Sequence, residues 1–359
     1  MFVPDTEGPA EPQRASLIDL LVHLTPFVGR EWEVEEANMS IHGSSRRGRG
    51  RLWLVVLAAL GTALVSLLTL LQWDSPARAH EQRGRGQQIT LEHSTASAFQ
   101  DKQIGAANQG NVEPRIVGGT PVPDGKYPFM AALDIRFGDG SGASCGGTLI
   151  DPNSVLTAAH CLVQPQTSAS GVRVEVGGTA KSQPQFQLRA ATTATIHPSY
   201  APSRTQSYDA AVLKLDSPVT GIKPINLATA KQNTLETPGR LLTVAGWGRT
   251  DPNDATSEAD RMREVSLPVV SDATMQQAIP YQAPFQYVPS LMVATDSQAG
   301  KDAAQGDSGG PLFNPGATPT QVGIVSFGNA GTTPGSPPTA YTEVNNPKIR
   351  TFILNAASS

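Results

Sequence analysis

The sequence predicts an all-β architecture, a sandwich or a barrel, across residues 116–359. Three observations carry that prediction. Short apolar runs recur along the whole stretch. Clusters of Gly, Pro, Asn and Ser separate them, in a chain whose 34 Gly and 29 Pro favour many turns over long helices. Helical periodicity is confined to the tail, Pro347 to Ala357, where Ile349, Phe352 and Ile353 share one face.

The strands follow in order. Phe129 to Ile135 is an almost unbroken apolar run between Pro128 and Gly138, as in a strand buried on both faces. Val172 to Val176 alternates valine with Arg173 and Glu175, and Gln187 to Ile196 is rich in Ala and Thr. Ala210 to Leu215, Leu241 to Gly246, Val265 to Val270, Gln321 to Ser326 and Ala340 to Val344 complete the set. A loose midpoint near Asn233 to Arg240 divides the stretch, and no repeat of solenoid period is present.

Upstream the composition changes. Leu52 to Leu71 is uncharged and long enough to span a bilayer. Arg46, Arg47, Arg49 and Arg51 precede it, and Ala77 and Ala79 follow it in the small-residue pattern of a signal-peptidase site. Two outcomes stay open: a signal peptide over 52–79 and a secreted product, or a retained anchor with the rest outside the cytoplasm. Residues 1–51 form an N-terminal extension in which eight acidic residues precede Met39. Met39 is the expected true start. Residues 80–115, rich in Gln, Ser, Gly and Arg, read as a pro-segment without packed structure. With a net charge of −4 and its one basic run beside the apolar segment, the chain is not expected to bind nucleic acid.

Three segments carry groups for nucleophilic catalysis: Leu156-Thr157-Ala158-Ala159-His160-Cys161, Tyr208-Asp209-Ala210-Ala211-Val212, and Gly306-Asp307-Ser308-Gly309-Gly310. A serine nucleophile needs a base for its proton, a carboxylate to orient that base, and donors for the developing oxyanion. The serine segment also fits the Gly-x-Ser-x-Gly elbow of α/β-hydrolases, whose histidine follows the serine. Here the last of six histidines is His197, far upstream of Ser308. The order His160, Asp209, Ser308 is that of chymotrypsin.

These segments resemble the trypsin-like, chymotrypsin-fold serine proteases. So do Arg115-Ile116-Val117-Gly118-Gly119, Ser144-Cys145-Gly146-Gly147, Gly246-Trp247-Gly248, Gly323-Ile324-Val325-Ser326-Phe327-Gly328 and Tyr341-Thr342-Glu343-Val344, all in family order. The resemblance implies two six-stranded antiparallel Greek-key β-barrels and a C-terminal helix within a peptidase domain over 116–359. Barrel one would cover about 116–235, barrel two about 236–345 and the helix about 347–357. It implies a serine endopeptidase with His160, Asp209 and Ser308 as triad and the Gly306 and Ser308 N–H groups as oxyanion hole. Ser326 would hydrogen-bond Asp209 and line the cleft.

The resemblance also implies a zymogen. Cleavage after Arg115, by another protease or by the enzyme itself, would free the Ile116 amino group to pair with Asp307. Asp302 would sit at the base of the primary specificity pocket and favour Arg or Lys, with Gly328 and Thr339 forming its walls and Phe327 an apolar shelf for the substrate backbone. Threonine at 339 and Phe327 both depart from the usual glycine and tryptophan. Only two cysteines exist, Cys145 and Cys161, and they match the family bridge behind the histidine loop. No metal-binding spacing or cofactor motif is present, so no metal and no cofactor is expected. The expected partners are protein or peptide substrates and an activating protease, around a monomer. A homologue kept only as a binding module would be free to lose the triad and the cleavage site.

Overall fold

A computed structural model describes residues 86–92, 119–202, 206–249, 254, 257–279, 285–297, 301–328 and 338–359. The extension 1–51, the apolar segment 52–79, Arg115 and Ile116 lie outside the described residues. Among the described residues no helix is long and apolar enough to cross a membrane.

Strands β1 (Gln87–Thr90) and β2 (Thr120–Pro121) precede the first barrel. That barrel contains β3 (Met130–Phe137), β4 (Gly142–Asp151), β5 (Ser154–Thr157), β7 (Thr167–Val176), β8 (Gln187–Ile196) and β9 (Ala211–Leu215), with the short β6 (Val163–Gln164) beside β7. Its order is β8-β9-β5-β4-β3-β7, and β7 pairs back onto β8, closing six antiparallel strands. Closure puts alternate side chains inside. Val172, Val174 and Val176 of β7 are buried with Leu133, Leu149, Leu156 and Leu213, while Arg173 and Glu175 point to the other face.

The second sheet is built from β10 (Asn226–Leu227), β11 (Leu241–Gly246), β12 (Arg263–Pro268), β13 (Met292–Thr295), β14 (Pro311–Asn314), β15 (Thr320–Phe327) and β16 (Thr339–Glu343). Its main path runs β12-β11-β14-β15-β16-β13. The ends meet through a bridge between Val269 and Thr295, with Val270 N–H donating to Ala294 O at 2.9 Å and Asp296 N–H to Pro268 O at 2.9 Å. Leu242, Val244, Leu267, Leu312, Val322 and Tyr341 fill its core. The fold is therefore the expected chymotrypsin-like one.

Glycine decides how closely the two halves approach. The Gly146 N–H of β4 donates to Ser308 O at 2.7 Å. A Cβ on Gly146 would lie 3.0 Å from Gly310 Cα, and one on Gly309 would lie 2.2 Å from Thr157 Oγ1. Side chains at these positions would push apart the elements that carry Ser308 and His160.

Helix α1 (Asp272–Ala278) starts at Ser271, whose Oγ accepts from Thr274 N–H at 3.1 Å. The sequence reading found only the tail helical and missed α1, because Met275 is its one buried residue and leaves no apolar stripe to read. Helix α2 (Pro347–Ser358) matches the expected tail. Asn346 caps it by accepting from Lys348 and Ile349 N–H, Pro347 opens its first turn, and Ile349, Phe352, Ile353 and Ala356 are buried. It packs beside β9, where Lys214 Nζ donates to Ala357 O at 2.7 Å. Strand β1 falls in the stretch 80–115 that was expected to lack packed structure, and it pairs with β8.

Cys145 and Cys161 form a disulfide across a sequence separation of 16. Closing a loop of that length restricts the unfolded chain by about 3 kcal/mol on chain-entropy grounds. The double variant Cys145→Ala, Cys161→Ala should lose about that much in urea unfolding at unchanged m-value, and a loss below about 1 kcal/mol would contradict this account.

Candidate active site

β5 ends at Thr157 and the chain turns through a single 3-10 turn, Ala159–Cys161, which presents the His160 ring at 22% exposure. The disulfide at Cys161 ties this turn to β4. Asp209 lies just before β9 and is fully buried. Tyr208 ahead of it adopts φ 57°, a left-handed conformation that costs a non-glycine residue about 1–2 kcal/mol. Its ring is stacked on His197 at 4.6 Å, which helps hold that turn.

Four groups meet there. His160 Nδ1 lies 2.7 Å from Asp209 Oδ2, and the His160 backbone N–H donates to Asp209 Oδ1 at 2.9 Å. Ser326 Oγ donates to Asp209 Oδ2 at 2.6 Å from the second sheet, at a register shift between β15 and β16. Burial works against the carboxylate, yet the imidazole and these donors hold the Asp209 pKa below its ordinary value. Burial likewise opposes the imidazolium, and the Asp209 charge and hydrogen bond outweigh it, so the His160 pKa stands above its ordinary value. The pair is organised to take up a proton at Nε2.

Ser308 is half-buried in the turn before β14, with its carbonyl O 3.6 Å from Cys161 Sγ. Among the described residues its hydroxyl makes no hydrogen bond to His160. Gly306 takes φ 97° and Gly309 φ 80°, conformations open to glycine, which shape this turn. The N–H groups of Gly306 and Ser308 donate to no other described residue, whereas Asp307, Gly309 and Gly310 N–H are all used within the fold.

Asp307 points the other way and is fully buried. Its Oδ1 accepts from Gly248 N–H at 2.9 Å and its Oδ2 from Ala304 N–H at 2.8 Å. A Cβ on Gly246 or Gly248 would lie 2.2 Å or 2.5 Å from these oxygens, so the Gly-Trp-Gly segment is a cradle for this carboxylate. Burial pushes its pKa up to about 6.

Asp302 is 3% exposed and heavily solvated by the protein itself. It accepts from Ser297 Oγ, from Ala303 N–H at 2.7 Å, and from Thr339 Oγ1, which lies 2.9 Å from both oxygens. Burial still dominates and pushes its pKa up to about 6. Thr339 thus points at the Asp302 carboxylate. A Cβ at residue 328 would fall 2.4 Å from Thr339 Oγ1, so the threonine requires Gly328 opposite it. Phe327 is buried against Phe285, with ring centroids 5.1 Å apart. Sequence reasoning missed Ser297 and Phe285, since no motif marks them.

The grouping of Cys145, His160 and Cys161 is compact enough for a metal ion, but both sulfurs are spent in the disulfide. Arg115 and Ile116, the expected activation residues, lie outside the described residues.

Comparison with known proteins agrees with this geometry. The family model described as Trypsin matches residues 116–353. A trypsin of Saccharopolyspora erythraea is 34% identical over 223 residues, which are 62% of this chain and 90% of that protein. The proclotting enzyme of Tachypleus tridentatus is 34% identical over 242 residues, 64% of this chain and 63% of that protein. The solved structure of HL collagenase superposes with a TM-score of 0.58 at 26% identity, over 68% of this chain and 99% of that one. With the match spanning both sheets and the segments of His160, Asp209 and Ser308, the chain belongs to the trypsin family of serine endopeptidases.

Proposed function

We propose that the chain is the secreted zymogen of an endopeptidase that cleaves after Arg or Lys through His160, Asp209 and Ser308. The observation that carries it is the buried Asp209 carboxylate, bound at once by His160 Nδ1, His160 N–H and Ser326 Oγ. That arrangement fixes the imidazole tautomer and leaves Nε2 as the base. His160 takes the Ser308 hydroxyl proton as Ser308 Oγ attacks the scissile carbonyl. The Gly306 and Ser308 N–H groups receive the oxyanion, and His160 returns the proton to the leaving amine. Water then repeats the sequence on the acyl-enzyme. In an unliganded site such hydrogen bonds are commonly long and tighten when substrate binds.

Asp302 supports the preference for a basic residue. With its pKa near 6 it is ionised at pH 8, and a substrate ammonium or guanidinium would supply the counter-charge that its neutral donors Ser297, Ala303 N–H and Thr339 do not. Gly328 would leave room for the entering side chain, and Phe327 would give the substrate backbone an apolar shelf. Cleavage after Arg115, by another protease or the enzyme itself, would start activity. Apolar segment 52–79 would direct export, with the product released as a monomer; retention of 52–71 as an anchor would change the address and not the chemistry.

The deciding experiment is to process the purified precursor and profile cleavage on a peptide library. Cleavage should fall after Arg and Lys. Removing the Thr339 side chain with Thr339→Gly should open the cavity and raise kcat/KM for such peptides about tenfold or more. Cleavage after small or aromatic residues would refute the role given to Asp302.

A further inference from the structure

The first barrel is not filled by its own strands alone. On one edge of β8, residues 193–196 pair with β9; on the other edge β7 pairs only with residues 187–190. The remaining stretch of that second edge is taken by β1, antiparallel, with Gln87 opposite Ile196 and Thr90 opposite Thr193. The segment then crosses toward β7: Leu91 N–H donates to Thr192 O at 3.0 Å and Glu92 N–H to Ser170 O at 2.7 Å.

Side chains make this more than a chance pairing. Leu91 is only 4% exposed and joins the barrel core, and Ile89 packs against the same core. Gly86 sits where a Cβ would lie 2.2 Å from Ile196 O and 3.0 Å from the Phe352 ring of α2. Backbone pairing supplies the affinity and alternate side chains the register, as when an extended peptide completes a sheet. Without the segment, residues 193–196 would present unpaired N–H and C=O groups just ahead of the turn that carries Asp209.

Segment 86–92 lies upstream of Arg115, so cleavage there cuts it from the protease domain. We propose that it does not leave: after activation the pro-segment remains seated on the open edge of β8, and the active protease is a two-chain particle with no covalent link. This rests on the cleavage after Arg115 proposed above. No disulfide can make the connection, because both cysteines of the chain are bonded to each other. Nor does activation have to pull the strand out. Cleavage after Arg115 separates Ile116 from residues 93–115, so the new terminus can move while β1 stays in place.

The test separates the two ideas. The full chain carrying Ser308→Ala, to prevent self-digestion, receives the recognition sequence of a site-specific protease in place of residues 100–106. After cutting there, size exclusion and native mass spectrometry should find the upstream fragment bound one-to-one to the domain, with amides 193–196 protected from hydrogen exchange. Ile89→Asp with Leu91→Asp should weaken retention about tenfold or more. The same double substitution in the chain with Ser308 intact should keep its peptidase activity, which shows that the domain still folds. A fragment that separates from the unsubstituted domain, or that stays equally bound in the double variant, overturns the proposal. N-terminal sequencing of the wild type reports independently whether Ile116 becomes a terminus; if it does not while the fragment stays bound, the zymogen reading falls and the seat on β8 stands.

Discussion

Replacing Ser308 with alanine should lower kcat for peptide hydrolysis by about 10⁶-fold and leave KM nearly unchanged. On the proposed mechanism the hydroxyl makes its decisive interaction only in the transition state, so the loss belongs in kcat. Residual turnover would come from the Gly306 and Ser308 N–H groups, which the alanine variant retains. The unsubstituted enzyme offers a matching pH test. His160 must be neutral to accept the serine proton, and its pKa is raised by Asp209 above the ordinary 6.5. Activity therefore has an acid limb, lost as pH falls through that raised value. A variant with more than about a hundredth of wild-type kcat, or a wild-type profile flat from pH 8 to pH 5, would sink the assignment.

The fold class was legible because strands buried on one face alternate and strands buried on both faces run apolar. Residues 187–196 and 241–246 are strands with the boundaries read from the sequence. What escaped were elements whose residues answer to neighbours instead of to periodicity. β4 contains Gly146 and Gly147, which look like a loop; a Cβ on Gly147 would lie 2.8 Å from Val155 Cγ1, so close packing demands glycine inside a strand. β1 spans four residues, and its burial depends on an edge of β8 that no local pattern reveals. At the site, Asp302 was singled out only by the family resemblance, while its partners Ser297 and Thr339 lie 5 and 37 residues away in the chain. A threonine in a pocket wall reads from the sequence as bulk. Only its position shows it to be a hydrogen-bond donor to Asp302.

An Arg115→Gln precursor should hydrolyse a basic-residue peptide at least about 10²-fold more slowly than the processed wild type. The reason lies at Asp307. Its carboxylate is fully buried between two N–H donors, both neutral, and burial pushes its pKa up to about 6. A carboxylate in that state is destabilising at neutral pH until a cation joins it, and removing either member of a buried pair leaves the other uncompensated. On the zymogen reading, the Ile116 amino group is that cation. Asp307 lies between Gly306 and Ser308, so whatever fixes its side chain also fixes the two N–H groups assigned to the oxyanion, and losing one such donor costs about 10²–10³ in kcat. On that reading the pairing would hold the amino group protonated above its ordinary pKa of about 8, so the active form would persist through neutral pH and be lost only in more alkaline solution. Asp307→Asn in the processed enzyme should reproduce the loss and remove this alkaline limb. Full activity in Arg115→Gln would instead mean that the oxyanion hole is complete in the uncut chain, with Asp307 held by its N–H donors alone.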